Sequence, residues 1–120
     1  MKNKKILITG TNGSLGAFLV NKYENPICIT RENPITDDII SDGVDTIVHC
    51  AFNSKLEELQ KVSKRCFEDN VDLTYSLVKI PHKRFIYISS IQVAPHSLTP
   101  YAIFKKIAED IVQDNCENHL

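Results

Sequence analysis

Residues 9–16 read Thr9-Gly10-Thr11-Asn12-Gly13-Ser14-Leu15-Gly16, with a glycine at every third position from Gly10 onward. The apolar run Lys5–Thr9 precedes this stretch, and a helical pattern that starts at Ser14 follows it. Glycines in such a strand-turn-helix setting let the main chain turn tightly, approach a diphosphate and pack the helix against the strand. The stretch therefore predicts nucleotide binding, although a glycine triplet alone also fits an ordinary turn. No Lys-Ser or Lys-Thr pair follows Gly16, which argues against a P-loop ATPase or kinase.

Four apolar runs recur along the chain, at Lys5–Thr9, Pro26–Thr30, Asp45–Cys50 and Arg84–Ser89. Because these runs are continuous rather than alternating, they indicate strands that are covered on both faces of a parallel sheet. Helical patterns lie between and after them, at 14–23, 36–43, 56–79 and from Pro100 to about Asn115. Strands that alternate with helices predict an α/β fold, here a Rossmann-like, three-layer, doubly wound parallel sheet.

The spacing of apolar residues also predicts which helix faces pack on the sheet. The first helix carries its stripe at Leu15, Phe18, Leu19 and Tyr23, and the last carries its stripe at Ile103, Ile107, Ile111 and Val112. In the short helix, Thr36 is the expected N-cap, two acids follow it in the first turn, and Gly43 ends the element.

Composition bounds the class of protein. The chain has 120 residues, 42% of them hydrophobic and 24% charged, with a formal net charge of -1, which is typical of one soluble globular domain over residues 1–120. The charge gives no reason to expect a nucleic-acid partner. The apolar run after Lys5 is too short for a signal peptide or a membrane span, so we expect no membrane association and a cytoplasmic protein.

Cysteine and histidine spacing does not indicate a metal site. The cysteines, Cys28, Cys50, Cys66 and Cys116, form no C-x-x-C pair, and the histidines have no ligand-like spacing. We expect reduced thiols, with Cys28 and Cys50 as small buried side chains inside apolar runs.

The residues after the second apolar run bear on the cofactor. In folds of this type, the end of the second strand contacts the adenosine ribose, with an acid for NAD and a basic residue for NADP. The chain reads Thr30-Arg31-Glu32 there, so Arg31 favours NADP over NAD. Two alternatives stay open: Arg31 is a solvated loop residue, or Glu32 binds the ribose hydroxyls.

Five motifs in order resemble those of the extended short-chain dehydrogenase/reductase family, the NAD-dependent epimerase/dehydratase group that acts largely on nucleotide sugars. They are Thr9-Gly10-x-x-Gly13-x-x-Gly16, Asp45-Thr-Ile-Val-His49-Cys-Ala51, Asn70-Val71-x-x-Thr74-x-x-Leu77-Val78, Phe85-Ile-Tyr-Ile-Ser89-Ser90-x-x-Val93 and Tyr101-x-x-x-Lys105. The likeness covers the chain from Lys5 to about Asp110. It identifies residues 1–120 as the N-terminal, dinucleotide-binding part of such an enzyme.

The resemblance implies a Ser-Tyr-Lys site. Tyr101 would be the general acid/base, Lys105 on the same helix face would supply the positive charge that stabilises its phenolate, and Ser90 would hydrogen-bond the substrate oxygen. The cofactor would be NADP or NAD. Its contacts would be Gly10, Thr11, Asn12, Gly13, Ser14, Leu15, Gly16, Arg31, Ile35, Cys50, Ala51, Phe52, Asn70, Ser89, Tyr101 and Lys105.

The sequence departs from the family pattern at Leu73, where a glycine is usual, and at Pro34, where an acidic residue is usual. Family members also continue into a C-terminal region that builds most of the substrate pocket. We therefore expect an incomplete domain, or one whose pocket another chain completes, and a sheet edge that favours homo-oligomers.

The function implied is an NAD(P)-dependent oxidoreductase, epimerase or dehydratase domain acting on a small molecule such as a nucleotide sugar. One alternative is a catalytically silent NAD(P)-binding module or pseudoenzyme fragment. Another is a purely structural interaction domain, which predicts no cofactor binding.

Overall fold

Strands and helices alternate along the chain in this computed structural model, which describes residues 4–52, 64–88 and 100–117, with side chains in the last range from Ala102 onward. The elements are β1 (Ile6–Thr9), α1 (Ser14–Val20), β2 (Ile27–Ile29), α2 (Asp37–Asp42), β3 (Val44–His49), α3 (Lys64–Phe67), a π-helical turn (Glu68–Asp72), α4 (Leu73–Val78), β4 (His82–Tyr87) and α5 (Pro100–Asn115). All four predicted strands are present, each within two residues of its expected start.

The strands form one parallel sheet in the order β2-β1-β3-β4. The chain runs from β1 outward to β2 and then returns to add β3 on the other side of β1. This reversal of direction is the feature that defines a doubly wound sheet, and it confirms the predicted Rossmann-like fold.

The core has two sides because successive strand residues point to opposite faces. On one face, Leu7, Ile47 and Phe85 are fully buried in a cluster that includes residues of α4 and α5. On the other face, Ile6, Ile8 and Val48 pack with Leu19 and Val20 of α1. Helices on both faces give the three layers expected from the continuous apolar runs.

The first helix differs from the expectation in length and in orientation. It ends at Val20, before Tyr23, and of the predicted stripe only Leu19 packs into the core. Leu15 is 43% exposed and Phe18 57% exposed, because Gly16 is the residue that α1 buries against the glycine turn.

The last helix spans the predicted residues, and three of its four predicted apolar residues pack in the core: Val112 is buried, and Ile107 and Ile111 pack against the core clusters. Ile103, predicted to pack on the sheet, is 43% exposed. The buried residues are Ala102, Phe104, Lys105, Ala108 and Val112. The sequence neighbours of Ile103, namely Ala102, Phe104 and Lys105, are therefore buried while Ile103 itself points outward.

Of three other expectations, one is met in full and two are met in part. Thr36 caps α2 by accepting a hydrogen bond from the Ile39 amide at 3.3 Å, as predicted. The predicted helix at 56–79 is helical over 64–78, interrupted by the π turn, and residues 56–63 lie outside the described ranges. The four cysteines are free thiols, but Cys28 and Cys50 are half-buried rather than buried.

Candidate dinucleotide site

Strand register brings four chain segments together at one edge of the sheet. Ile29, Thr9, His49 and Tyr87 form a row across β2, β1, β3 and β4 at their carboxyl ends. The residues that follow each strand therefore line the same rim. In an open parallel sheet, ligands bind beyond the carboxyl ends where the strand order reverses, which here is between β1 and β3.

The glycine turn after β1 is held by contacts that exclude side chains at two of its three glycines. Gly10 has a φ of +74°, and a Cβ there would lie 2.7 Å from the Ala51 nitrogen. A Cβ on Gly16 would lie 2.0 Å from the Gly10 carbonyl oxygen. Both glycines are therefore required for the fold itself, since even alanine would collide with main-chain atoms.

Gly13 is different, because a Cβ there would have only the Gly10 oxygen nearby, at 3.4 Å. Its backbone is extended (φ −85°, ψ 169°), a conformation that any residue adopts. Gly13 also lines the cleft described below. The fold alone does not require a glycine at this position, so its absent side chain matters for what approaches the turn.

The amino ends of the first two helices are treated differently. In α2 the hydroxyl of Thr36 caps the helix, and Asp37 and Asp38 add negative charge to the first turn. In α1 the N-cap is Gly13, which supplies no side-chain cap, and its first turn contains no acid. The initial amides of a helix have no intrahelical acceptor. Those of α1 are therefore available to an anionic group at the cleft.

A large cleft lies at this rim, with a volume of about 1060 Å³. It is of the size that binds cofactors, for which pockets of roughly 300–1,000 Å³ are usual. The residues that line it are Gly10, Thr11, Asn12, Gly13, Ile29, Thr30, Arg31, Glu32, Pro34, Ile35, Ile40, Cys50, Ala51, Phe52, Glu68, Asp69, Leu73, Ser76 and Lys79.

A buried hydrogen-bond chain supports the floor of the cleft. The amides of Cys50 and Ala51 donate to Thr9 Oγ1 at 3.1 and 3.0 Å, which leaves the Thr9 hydroxyl proton for His49 Nδ1 at 2.6 Å. His49 Nε2 then carries the ring proton and donates to Thr74 Oγ1 at 2.8 Å. Thr74 in turn donates to the Asn70 carbonyl at 3.2 Å. The donor and the acceptor of each hydrogen bond in this series are therefore determined.

His49 is neutral in this setting. Burial, and secondarily the positive charge of Lys105, lowers the pKa of the imidazole to about 3. A neutral ring that accepts at Nδ1 and donates at Nε2 is the form that the hydrogen-bond chain requires. It fixes the ends of β1 and β3 to the helical segment at the π turn.

Lys105 lies beside the same rim, although it belongs to α5. It is 4% exposed, and its Nζ donates to the Ile88 carbonyl at 2.7 Å. The Nζ also lies 4.5 Å from the centroid of the Phe52 ring and 5.0 Å from that of Tyr87. Burial lowers the pKa of Lys105 to about 8, and the neighbouring Cys50 opposes this shift. The ammonium form therefore predominates at neutral pH, held by a carbonyl and two aromatic faces.

An ion pair crosses the cleft between two distant parts of the sequence. The guanidinium of Arg31, after β2, contacts the carboxylate of Asp69 in the π turn. Among the described residues, the lining of the cleft includes the cations Arg31 and Lys79 and the acids Glu32, Glu68 and Asp69. The sequence analysis singled out Arg31 but missed its partner, because nothing local in the sequence links residues 38 positions apart.

The structure brings most of the predicted cofactor residues to the cleft. Those that line it are Gly10, Thr11, Asn12, Gly13, Arg31, Ile35, Cys50, Ala51 and Phe52. Ser14, Leu15 and Gly16 follow as the first turn of α1, with Gly16 packed on Gly10. Asn70 is buried in the π turn, where its Nδ2 donates to Cys66 Sγ at 3.3 Å. Ser89, Ser90 and the side chain of Tyr101 lie outside the described residues.

The described residues were also compared with the requirements of a metal site and of a membrane-spanning helix. No group of three or more His, Cys, Asp and Glu side chains there is arranged to hold a metal ion. None of the helices there combines the length and apolar character needed to cross a membrane.

Neither a protein-family model nor a curated protein sequence matches the chain. Solved structures do match it. The chain is similar to dTDP-4-dehydrorhamnose reductase from Yersinia enterocolitica, with a TM-score of 0.81, 24% identity, and coverage of 97% of this chain and 50% of that one. It is also similar to the dTDP-4-dehydrorhamnose reductase from Bacillus anthracis in complex with NADP. That comparison has a TM-score of 0.79 and 17% identity, and covers 98% of this chain and 52% of that one.

UDP-glucuronic acid 4-epimerase from Bacillus cereus, in complex with UDP-glucuronic acid and NAD, gives a TM-score of 0.72 at 20% identity, over 95% of this chain and 52% of that one. The chain thus spans about half the length of the solved structures it matches. At these identities the likeness establishes the fold. The resemblance inferred from the sequence motifs is therefore confirmed at the level of the fold.

Proposed function

We propose that this chain is the dinucleotide-binding part of a nicotinamide-dependent reductase or epimerase whose substrate is a nucleotide sugar or a similar small molecule. One observation carries the proposal: the glycine turn and the uncapped amino end of α1 open together onto the cleft where the strand order reverses. That combination suits a diphosphate, which needs main-chain donors and close approach.

The solved structures support the class of ligand. The Bacillus anthracis reductase is in complex with NADP, and the Bacillus cereus epimerase with UDP-glucuronic acid and NAD. Both proteins have this fold over half of their own length. The whole-protein activity, its substrate and the residues that bind it are accordingly part of the proposal.

The residues of the cleft fit a nicotinamide dinucleotide along its length. Gly13 and the first amides of α1 would hold the diphosphate, and Arg31 or Glu32 would meet the adenosine ribose. Ile35 and Leu73 are both half-buried and line the cleft, and they provide apolar surface that suits the adenine ring. Cys50, Ala51 and Phe52 extend the floor toward Lys105.

The chemistry proposed for the site depends on Lys105. A bound nicotinamide ring supplies hydride acceptance and donation. With a pKa of about 8, Lys105 holds a positive charge at neutral pH, which lowers the pKa of a nearby phenol and helps a tyrosine act as a base. By the motif resemblance, that tyrosine is Tyr101, with Ser90 as hydrogen-bond partner of the substrate oxygen. Their side chains are outside the described residues, so both roles remain proposals.

The proposal is tested by titrating the chain with NADH and NADPH and following nicotinamide fluorescence. We expect saturable binding, and we expect Gly13→Val to weaken it by roughly 100-fold, or about 3 kcal/mol, because the side chain would fill the space needed by the diphosphate. The variant should remain folded and melt within a few degrees of the parent chain, since a Cβ at Gly13 would lie 3.4 Å from the nearest main-chain atom, the Gly10 oxygen.

Gly16→Ala is the matched contrast. Its Cβ would collide with the Gly10 carbonyl, so we expect this variant to lose stability by about 3 kcal/mol.

Unchanged NADH affinity in folded Gly13→Val would remove the diphosphate assignment. Binding without turnover of a panel of nucleotide sugars would favour a catalytically silent module instead, and Tyr101→Phe should retain binding while abolishing any turnover.

A further inference from the structure

The preference between NAD and NADP depends on whether the cation at the end of β2 is available to a phosphate. Arg31 is half exposed, with 54% of its side chain accessible, and faces the cleft from the position where such folds contact the adenosine ribose. A 2′-phosphate would need this guanidinium, because bidentate pairing with phosphate is the interaction for which arginine is suited.

In the structure the guanidinium is already paired. Asp69 reaches it from the opposite wall, and the Asp69 side chain is 24% exposed, so the carboxylate is less solvated than the arginine. A 2′-phosphate bound at Arg31 would have to displace this carboxylate or lie beside it. Placing two anions together in a partly desolvated cleft is unfavourable.

The described walls of the cleft carry more negative than positive charge beside this pair. Glu32 follows Arg31 directly and also lines the cleft, as does Glu68, which is adjacent to Asp69. Lys79 is the further cation on the described part of the lining, and its Nζ lies 4.3 Å from the centroid of the Tyr75 ring. Acids thus outnumber cations on the described walls. A ribose hydroxyl, by contrast, would find carboxylates that accept a hydrogen bond from it.

The π turn explains why Asp69 stands there. A π turn adds a residue to a helical segment and changes which side chains face a given direction. Here the turn buries Asn70 and Val71 on the core side and leaves Asp69 on the cleft wall. Thr74, which follows, bonds to both His49 and the Asn70 carbonyl and so anchors the segment.

We propose that Asp69 holds the guanidinium of Arg31 and thereby selects NAD over NADP, an inference that rests on the function proposed above. Asp69 takes the place of the acid that NAD-binding folds of this type carry at the end of the second strand. The preference for NADP expected from Arg31 alone would then be reversed.

The test measures dissociation constants for NADH and NADPH with the full chain and three variants. The parent chain should bind NADH more tightly than NADPH. Asp69→Asn should raise the affinity for NADPH relative to NADH roughly tenfold, because one unit of opposing charge is removed a few ångströms from the phosphate. Asp72→Asn is the matched control, since Asp72 is an exposed acid of the same π turn that does not line the cleft, and it should leave the ratio unchanged.

The double variant R31Q/D69N identifies the route of the effect. If Asp69 acts by withholding Arg31, the gain in NADPH affinity should disappear when the guanidinium is absent. An unchanged ratio in Asp69→Asn, a gain that survives without Arg31, or a parent chain that prefers NADPH would each overturn the inference while leaving dinucleotide binding intact. A parent chain that binds neither nucleotide would instead refute the proposed function, and this inference with it.

Discussion

His49 shows how a single ionisable residue can couple the site to solvent conditions. Its ring is 1% exposed and serves as acceptor from Thr9 and donor to Thr74, so the hydrogen-bond chain requires the neutral form. A proton added at Nδ1 would remove the acceptor for the Thr9 hydroxyl and bury a positive charge near Lys105. Protonation and folding are therefore opposed at this residue.

We expect this opposition to appear as acid sensitivity. The pKa of His49 is lowered from 6.5 to about 3 by burial, so between these values the unfolded chain binds one more proton than the folded chain. Stability should be full above pH 6.5 and fall as pH decreases, with His49 contributing up to about 1.4 kcal/mol per pH unit. Urea unfolding from pH 7 to pH 4 measures this slope.

His49→Gln is the corresponding control, because an amide keeps one donor and one acceptor without titrating in this range. The variant should be less stable at pH 7 and should show a smaller slope below pH 6.5. An equal slope in the two proteins would assign the acid sensitivity to other groups.

The residues of the site were predictable from sequence only where the signal is local. The three glycines of the turn could be recognised from their spacing in the sequence. Spacing does not show that their roles differ: main-chain contacts require Gly10 and Gly16, whereas no such contact requires Gly13. The partner of Arg31 lies 38 positions away in the sequence, and the two partners of His49 lie 40 and 25 positions away. Such pairings depend on how the elements pack, which no local pattern encodes.

At the level of elements, the strands were predicted well because continuous apolar runs have few other uses in a chain of this composition. Helix faces were predicted less well. The pattern selected Phe18 and Ile103 as core residues, yet both are exposed. In α1 the residue buried against the glycine turn is Gly16, and in α5 the residues buried around Ile103 are Ala102, Phe104 and Lys105. The π turn was not foreseen either, because the apolar spacing of 56–79 fits ordinary helix.

The link between β3 and the helical segment at the π turn is itself open to test. Thr74→Val keeps the shape of the side chain but removes the hydroxyl, which leaves the buried Nε2 proton of His49 without its acceptor. We expect a loss of about 1–3 kcal/mol in the free energy of unfolding. Chemical denaturation of the parent chain and the variant measures this difference.

Thr74→Ser restores the hydroxyl and should recover most of the stability lost in Thr74→Val. Equal destabilisation by serine and valine would mean that the methyl group, rather than the hydrogen bond, ties the two elements together.

For the whole molecule, the cleft joins segments that the chain order keeps apart: the turn after β1, the ends of β2 and β3, and the helical segment from the π turn into α4. A ligand that contacts all of them binds only the folded chain. Its binding free energy therefore adds to the stability of the fold.

Thermal unfolding should reveal this coupling. At a concentration 100 times the dissociation constant, the preferred nicotinamide dinucleotide should add about 2.7 kcal/mol, which corresponds to a rise in Tm of roughly 10 °C for a domain of this size. Differential scanning calorimetry measures the shift. At the same nucleotide concentration, Gly13→Val should gain only about 0.4 kcal/mol, or roughly 2 °C in Tm, because its affinity is about 100-fold weaker. An equal rise in that variant would place the ligand elsewhere on the protein.

The strand order has a consequence for how the chain is made. β1 is synthesised before the other three described strands, yet in the sheet it lies between β2 and β3, and its Thr9 pairs with His49, which lies 40 residues later. During translation, Ile6, Leu7 and Ile8 leave the ribosome well before the strand that will cover their second edge. A nascent chain of this topology exposes an unpaired apolar strand to solvent until β3 has been synthesised. Slow elongation across residues 10–49 would therefore favour aggregation over productive folding.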